Sequence, residues 1–147
     1  MNKTYKKWMI AVFVMILAGS FGVWHVFTEK FTDTADLKSD YAVNVPDFIN
    51  EFKTDINQAN KKYAEKIIVV SGIVSEVKAA YTTVNIIMKE SGGDAYIIFA
   101  FQQQHLAEAR QLKEGDRIAI KGSCSGALYS EILETESISF KRCTVEK

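Results

Sequence analysis

The chain is poor in the residues that build reactive centres. Of its 147 residues two are histidine, two are cysteine and one, Pro46, is proline. Catalysis needs a nucleophile beside a base, or metal ligands that converge. His25 lies in an apolar run and His105 at the start of a short predicted helix. Neither has a partner at zinc-ligand spacing, and no glycine-rich loop opens a helix as a phosphate cradle does. No enzyme activity, no metal site and no cofactor are therefore expected. Cys124 and Cys143 allow at most one intrachain disulfide. Internal repeats and low-complexity tracts are absent, and the length fits one domain with an appendage.

Charge is missing from one stretch. Trp8 to Phe27 contains no Asp, Glu, Lys or Arg, and a helix of that length reaches roughly 30 Å, the thickness of a bilayer core. Lys3, Lys6 and Lys7 precede it, while Glu29, Asp33 and Asp36 follow. The positive-inside rule then keeps the amino terminus in the cytoplasm. Residues 1–7 are expected as a cytoplasmic basic tail and 8–27 as a single-pass anchor in a bacterial inner membrane. Residues 28–44 read as a polar tether to a periplasmic domain at 45–147. The alternative is a signal cleaved near Ala18-Gly19-Ser20, with export of the rest. Leu17-Ala18-Gly19-Ser20 also matches a lipobox with serine in place of the lipidated cysteine, which excludes a thioether lipid. The apolar character resumes at Phe21, Val23 and Trp24, as suits a retained span, and His25 reads as an interfacial bystander.

The formal charge is zero overall, but the basic tail hides an excess of about three acids in residues 28–147. Such a balance counts against phosphate-backbone binding, which needs clustered cations.

The remaining sequence is rich in strand signals. Lys66 to Val77 is a β-branched run interrupted by Gly72, which predicts one long strand bent at the glycine. Further strands are predicted at about Tyr81–Met88, Ala95–Phe101, Arg117–Ser125 and about Ser130–Cys143, with a hairpin turn at Ser91-Gly92-Gly93-Asp94. Alternation points Val84, Ile86, Met88, Ile97, Phe99 and Phe101 inward, with Ile118, Ile120, Ile132, Ile138 and Phe140 as further core. Arg117, Ala119 and Lys121 then point outward, and Gly122 is read as a bend. Asn44 and Pro46 start a helix whose stripe of Phe48, Phe52, Ile56, Ala59 and Tyr63 either packs on the sheet or docks a partner. Gln104–Leu112 is a short helix between the third and fourth strands. The expected fold is mainly β: a five-stranded OB-type Greek-key barrel with these helices and the amino-terminal span. Glu131, Glu134 and Glu136 read as a solvated acidic strand end, in preference to a calcium site.

Three segments, Ala59–Tyr63, Lys66–Val74 and Leu112–Gly126, resemble the tRNA_anti-like family, candidate OB-fold lipoproteins found mostly in Bacteroidetes. The resemblance covers about residues 45–140. It implies an OB barrel and names no ligand, since no reactive residue carries it. The family's cysteine positions fall here on Ile98 and on the Glu136-Ser137 region, so its disulfide is not implied. A Cys124–Cys143 bridge stays open, because an exported domain meets oxidising conditions. It would need a bulge or a frayed end, and two unbridged thiols are the alternative.

OB barrels bind on the face of their second and third strands. That face carries Tyr81, Thr83, Asn85, Tyr96 and Ile98, unless the Phe48–Tyr63 helix covers it. The leading expectation is a non-catalytic, membrane-anchored module for an envelope protein, peptide or glycan. The alternatives are a single-stranded nucleic-acid binder using exposed tyrosines and a structural or stress-related envelope protein.

Overall fold

The computed structural model describes residues 3–28 and 32–147, with side chains from Lys6 to Trp24 and from Thr32 onward. Two compact units divide the chain, Met1–Thr32 and Asp33–Lys147. The reading of His25 as an interfacial side chain, and residues 29–31 of the expected tether, lie outside what is described.

In the first unit α1 (Lys3–Thr28) is one helix. Its most apolar window, Lys6–Trp24, has 19 residues and a mean hydropathy of 1.7, and none of it is buried in protein. At the helical rise that window measures roughly 28 Å, so α1 is long and apolar enough to cross a membrane.

The second unit holds seven strands. They are β1 (Tyr41–Asn44), β2 (Ile67–Ile73), β3 (Glu76–Ala79), β4 (Val84–Lys89), β5 (Tyr96–Phe101), β6 (Arg117–Ser130) and β7 (Thr135–Val145). Their order is β1-β2-β6-β7-β5-β4-β3. The β1–β2 and β5–β7 pairs are parallel and the others antiparallel. The mainly-β expectation holds, but the count is seven where five were predicted. Two causes account for the difference. The long run predicted as one strand breaks at Val74-Ser75, giving β2 and β3, and the supposed tether supplies β1.

Gly72 is not where the strand breaks. A Cβ there would lie 2.5 Å from Val45 Cγ2 and 3.0 Å from Met88 Sδ. The glycine is needed because the start of a helix packs directly onto the strand backbone.

That helix is α2 (Val45–Thr54). Asn44 caps it by accepting from the Asp47 N–H at 3.0 Å, and Pro46 lies in its first turn. The single predicted helix is in fact two, because the Asp55 side chain accepts from the N–H groups of Asn57 and Gln58 and so starts α3 (Ile56–Tyr63). The apolar stripe packs on the sheet: Phe48, Ile49, Phe52, Ala59 and Tyr63 are buried and Ile56 is half-buried. The Phe48 ring lies 5.0 Å from that of Tyr63 and 5.7 Å from Phe140, which in turn lies 5.0 Å from Phe99. These are edge and tilted contacts of the kind that add to area burial. Val84, Ile86, Met88, Ile97, Phe99, Phe101, Ile120, Ile138 and Phe140 all face this core.

Other expectations need correction. Ile132 is 94% exposed, since β6 continues to Ser130 and the hairpin turn occupies the predicted strand start. Ile118 is half-buried and still packs against the core, as its inward assignment requires. The predicted helix at Gln104–Leu112 shrinks to a 3-10 turn at Gln103–His105 and α4 (Leu106–Ala109). Gly122 gives room to a side chain, for a Cβ there would lie 2.6 Å from Cys143 Sγ. Cys124 pairs opposite Phe140, and Cys143 lies beside Phe101. In this structure both are free, buried thiols, and burial pushes the Cys124 thiol up to about 11.

The largest departure is at the tether. Residues from Asp33 onward belong to the folded unit. Asp40 donates its N–H to the Ile67 carbonyl at 2.7 Å, and its carboxylate accepts from the Ile67 N–H at 2.9 Å. Lys121, predicted to face solvent, is buried beneath this strap and donates to the Ala35 carbonyl at 3.2 Å. His105 Nε2 lies 2.7 Å from Asp33 Oδ1, and its Nδ1 lies 3.9 Å from Glu108. Short, polar residues gave no periodic signal here, because the strap is held by hydrogen bonds and ion pairs more than by an apolar stripe.

Two outcomes are expected. Gly72→Ala should destabilise the full-length protein by about 1–3 kcal/mol through overpacking, and Val45→Ala in the same chain should recover part of the loss in urea denaturation. Asp33 is held below its ordinary value by the Ala35 N–H and by His105. Its contribution is therefore complete above the unfolded pKa and disappears as pH falls through the lowered folded value. The stability gap between wild type and Asp33→Asn should be widest near neutral pH and should close below about pH 4.

Candidate functional site

Because α2 and α3 pack on the inward face of the sheet, the outward face of β3, β4 and β5 stays open. Register sets its side chains in rows: Glu76, Ile87 and Ile98 in one, Lys78 beside Asn85 in a second, Lys89 beside Tyr96 in a third. These seven line a trough of about 320 Å³. Ile87 is buried even though it faces outward, so it forms the floor, with half-buried Ile98 beside it. Lys78 Nζ lies 3.7 Å from Glu76, an exposed pair of little energetic weight. A second cleft, about 410 Å³, shares Lys89 and Tyr96 and continues past Asp94 to Leu133, Glu134 and Thr135 of the β6–β7 hairpin. Tyr96 therefore stands where the two clefts meet.

Of the predicted face, Asn85, Tyr96 and Ile98 come together in the trough. Tyr81 and Thr83 do not. They belong to the turn between β3 and β4, where Tyr81 is 95% exposed. The Ala80 N–H closes that turn on the Thr83 carbonyl at 2.8 Å. Arg110 Nη2, just beyond α4, donates to the Ala80 and Tyr81 carbonyls at 3.1 and 2.7 Å. The turn is thus held to the body of the domain, and no sequence pattern marks that bond. Glu76, Lys78 and Lys89 were missed because the predicted second strand stopped at Met88 and the break at Val74-Ser75 was not foreseen. Carrying the same alternation one residue further would have found Lys89. The idea that the helix covers this face fails, since its stripe is used on the opposite side of the sheet.

A wider groove, about 620 Å³, runs between α2 and α3. Of its charged groups Glu51, Asp55 and Lys62 are already engaged, while Lys61 is exposed. Glu51 accepts from Lys62 Nζ at 2.8 Å and from the Tyr63 hydroxyl at 2.9 Å, and the Lys62 bond in particular lowers its pKa. Asp55 caps α3. Of the predicted acidic cluster, Glu131 and Glu134 are exposed, whereas Glu136 is half-buried and burial raises its pKa. Among the described residues no group of three His, Cys, Asp or Glu is placed to hold a metal ion. The trough thus combines an apolar floor with one aromatic ring, one amide, two ammonium groups and one carboxylate.

Comparison with known proteins places this architecture. The structure is similar to that of a candidate nucleic acid-binding lipoprotein from Klebsiella pneumoniae, at 18% identity and a TM-score of 0.58, covering 80% of this chain and 100% of that one. Weaker likenesses include asparaginyl-tRNA synthetase from Pyrococcus horikoshii, at 12% identity and a TM-score of 0.40 over 58% of this chain. Aspartyl-tRNA synthetase from Entamoeba histolytica reaches 14% identity and a TM-score of 0.43 over 78% of this chain. The chain spans 21% and 26% of those two synthetases. No curated protein matches. The tRNA_anti-like family model matches residues 1–138, nearly the whole chain, and the protein belongs to the tRNA_anti-like family.

Proposed function

We propose that this protein is a single-pass, membrane-anchored binding module whose OB-type domain faces the periplasm and takes an extended peptide or glycan in the trough, without catalysing a reaction. In this reading β2 and β3 together are the first strand of a five-stranded barrel, with β4, β5, β6 and β7 as the others and β1 as an addition. The observation that carries it is the trough itself, an open outward face with a buried isoleucine floor and Tyr96 at the end where it meets the second cleft. Its charges support an uncharged or mixed ligand. Lys78 and Lys89 are matched along the two joined clefts by Glu76, Asp94 and Glu134. Lys3, Lys6 and Lys7 in the first turns of α1 and the acidic residues that follow the helix support the orientation.

A second reading, single-stranded nucleic-acid binding, draws on the similarity to a candidate nucleic acid-binding lipoprotein and on Tyr96 as a stacking platform. The excess of acids in the domain weighs against it.

Three measurements test the proposal. An alkaline phosphatase fused after Lys147 should be active in cells and a fluorescent protein at the same point dark; the reverse pattern overturns the orientation. The full-length protein should bind labelled 15-mers of deoxythymidine or uridine no tighter than about 100 μM at physiological salt, the weak end of non-specific binding. Arrayed 12-residue peptides and cell-wall oligosaccharides should include ligands whose capture falls at least tenfold in Tyr96→Ala, with stability changed by less than about 1 kcal/mol. Tight, steeply salt-dependent oligonucleotide binding that Tyr96→Ala abolishes would replace the first reading with the second.

A further inference from the structure

A different surface stands out at the tip of the β6–β7 hairpin. Seven large apolar side chains of the folded unit are exposed, and four of them, Leu128, Tyr129, Ile132 and Leu133, fall within six residues here. Together they offer on the order of several hundred Å² of apolar surface, the size of patch that marks an interaction site on a soluble domain. Their disposition is not that of a flat face. Tyr129 pairs opposite Glu136 and Leu128 opposite Ser137, so the two point to opposite sides of the ribbon. Ile132 and Leu133 occupy the turn between them. The hairpin is an apolar finger, greasy on both sides and at its end.

The finger is also held in shape. The Leu133 N–H donates to Ser130 Oγ at 3.3 Å, and Thr135 Oγ1 donates to the Leu133 carbonyl at 2.6 Å. Glu134 adopts φ 50°, a left-handed conformation in which glycine would be at ease and glutamate is strained. Strain kept at an exposed turn points to a use for the side chain that bears it.

Charge narrows the occupant. Glu131 and Glu134 are exposed at the tip and Leu128 to Glu136 contains no Lys or Arg, while the adjoining cleft sets Asp94 against a single cation, Lys89. An anionic leaflet would repel those carboxylates. A symmetric contact between two copies would set the same acids against each other, because a twofold interface brings a patch onto itself. What complements an apolar finger edged with carboxylates is an apolar groove or stripe edged with ammonium or guanidinium groups.

From this complementarity we infer that the β6–β7 tip docks a partner protein segment presenting apolar side chains flanked by Lys or Arg. The proposal does not need the trough reading: no tip residue lines the trough, and only Leu133 and Glu134 border the second cleft that reaches Lys89 and Tyr96.

The test uses the full-length chain in zwitterionic nanodiscs, with empty discs subtracted. The probe is an 18-residue amphipathic helix of Leu and Lys, compared with the same peptide carrying Glu for Lys. The Lys peptide should bind at least tenfold tighter than its Glu counterpart. Leu128→Ser with Ile132→Ser should weaken it at least tenfold at unchanged thermal stability, because both side chains are exposed. Glu131→Gln with Glu134→Gln should weaken it several-fold and flatten its salt dependence, whereas Tyr96→Ala should leave it unchanged. Four results overturn the inference: no preference between the peptides, binding indifferent to the tip, tip-dependent pelleting with anionic vesicles, or tip-dependent self-association in sedimentation. Loss in Tyr96→Ala with retention in the tip variant would move the peptide to the trough and refute the tip.

Discussion

One exchange of hydrogen-bond partners organises the folded unit. Up to Ile73 the chain pairs with β6, and from Glu76 it pairs with β4. At the handover the Val74 N–H donates to the Asp116 carbonyl at 2.9 Å, and the Val74 carbonyl accepts from the Gly115 N–H at 2.8 Å. One residue later the Ser75 N–H donates to the Ile87 carbonyl at 2.8 Å. Two residues therefore join strands that stand second and last in the sheet order, and the sheet must curl until those places meet. The Lys113–Asp116 turn is shaped to receive the handover. Gly115 takes φ 91°, open to glycine but strained for other residues, and the Asp116 carboxylate accepts from the Lys113 N–H at 2.8 Å.

The curl decides which surfaces are left for function. Its inward face closes on Phe99 and Phe140 and is sealed by the aromatic cluster of α2 and α3. Part of the outward face is covered by the strap that precedes α2, which buries Lys121. On β3, β4 and β5 the outward face stays open, and the hairpin beyond it protrudes. Both candidate surfaces thus exist because the amino-terminal segments are folded onto other parts of the sheet.

Apolar periodicity was legible and polar contacts were not. Alternation gave the inward side chains of β4 and β5, and helical spacing gave the Phe48–Tyr63 stripe, because burying each pattern's apolar face is what stabilises it. The break at Asp55 had a local marker, an Asx cap, outweighed by the continuity of the stripe. Ile132 was misplaced for a related reason: an isoleucine in a strand-like run reads as core, and only the hairpin register shows that it stands at the turn. The strap was invisible, since Asp33 with His105 and Asp40 with Ile67 are held by partners 72 and 27 residues away. Gly72 was noticed but misread. A lone glycine in a strand marks either a bend or a close approach, and the choice depended on Val45, which the linear sequence gave no reason to place there.

The two candidate surfaces differ in what they can tell apart. In the trough, cations and anions alternate around an apolar floor, so net charge contributes little and selection must come from shape and from hydrogen bonds to Asn85 and Tyr96. At the tip the charge has one sign and the apolar side chains protrude, so long-range attraction and repulsion sort partners before contact. A polyanion is poorly served by the tip, whereas the trough lining, with Lys78, Lys89 and Glu76, carries no excess of acids. Of the two surfaces only the tip shares the acidity of the domain, so net composition alone does not describe what a ligand meets at either one.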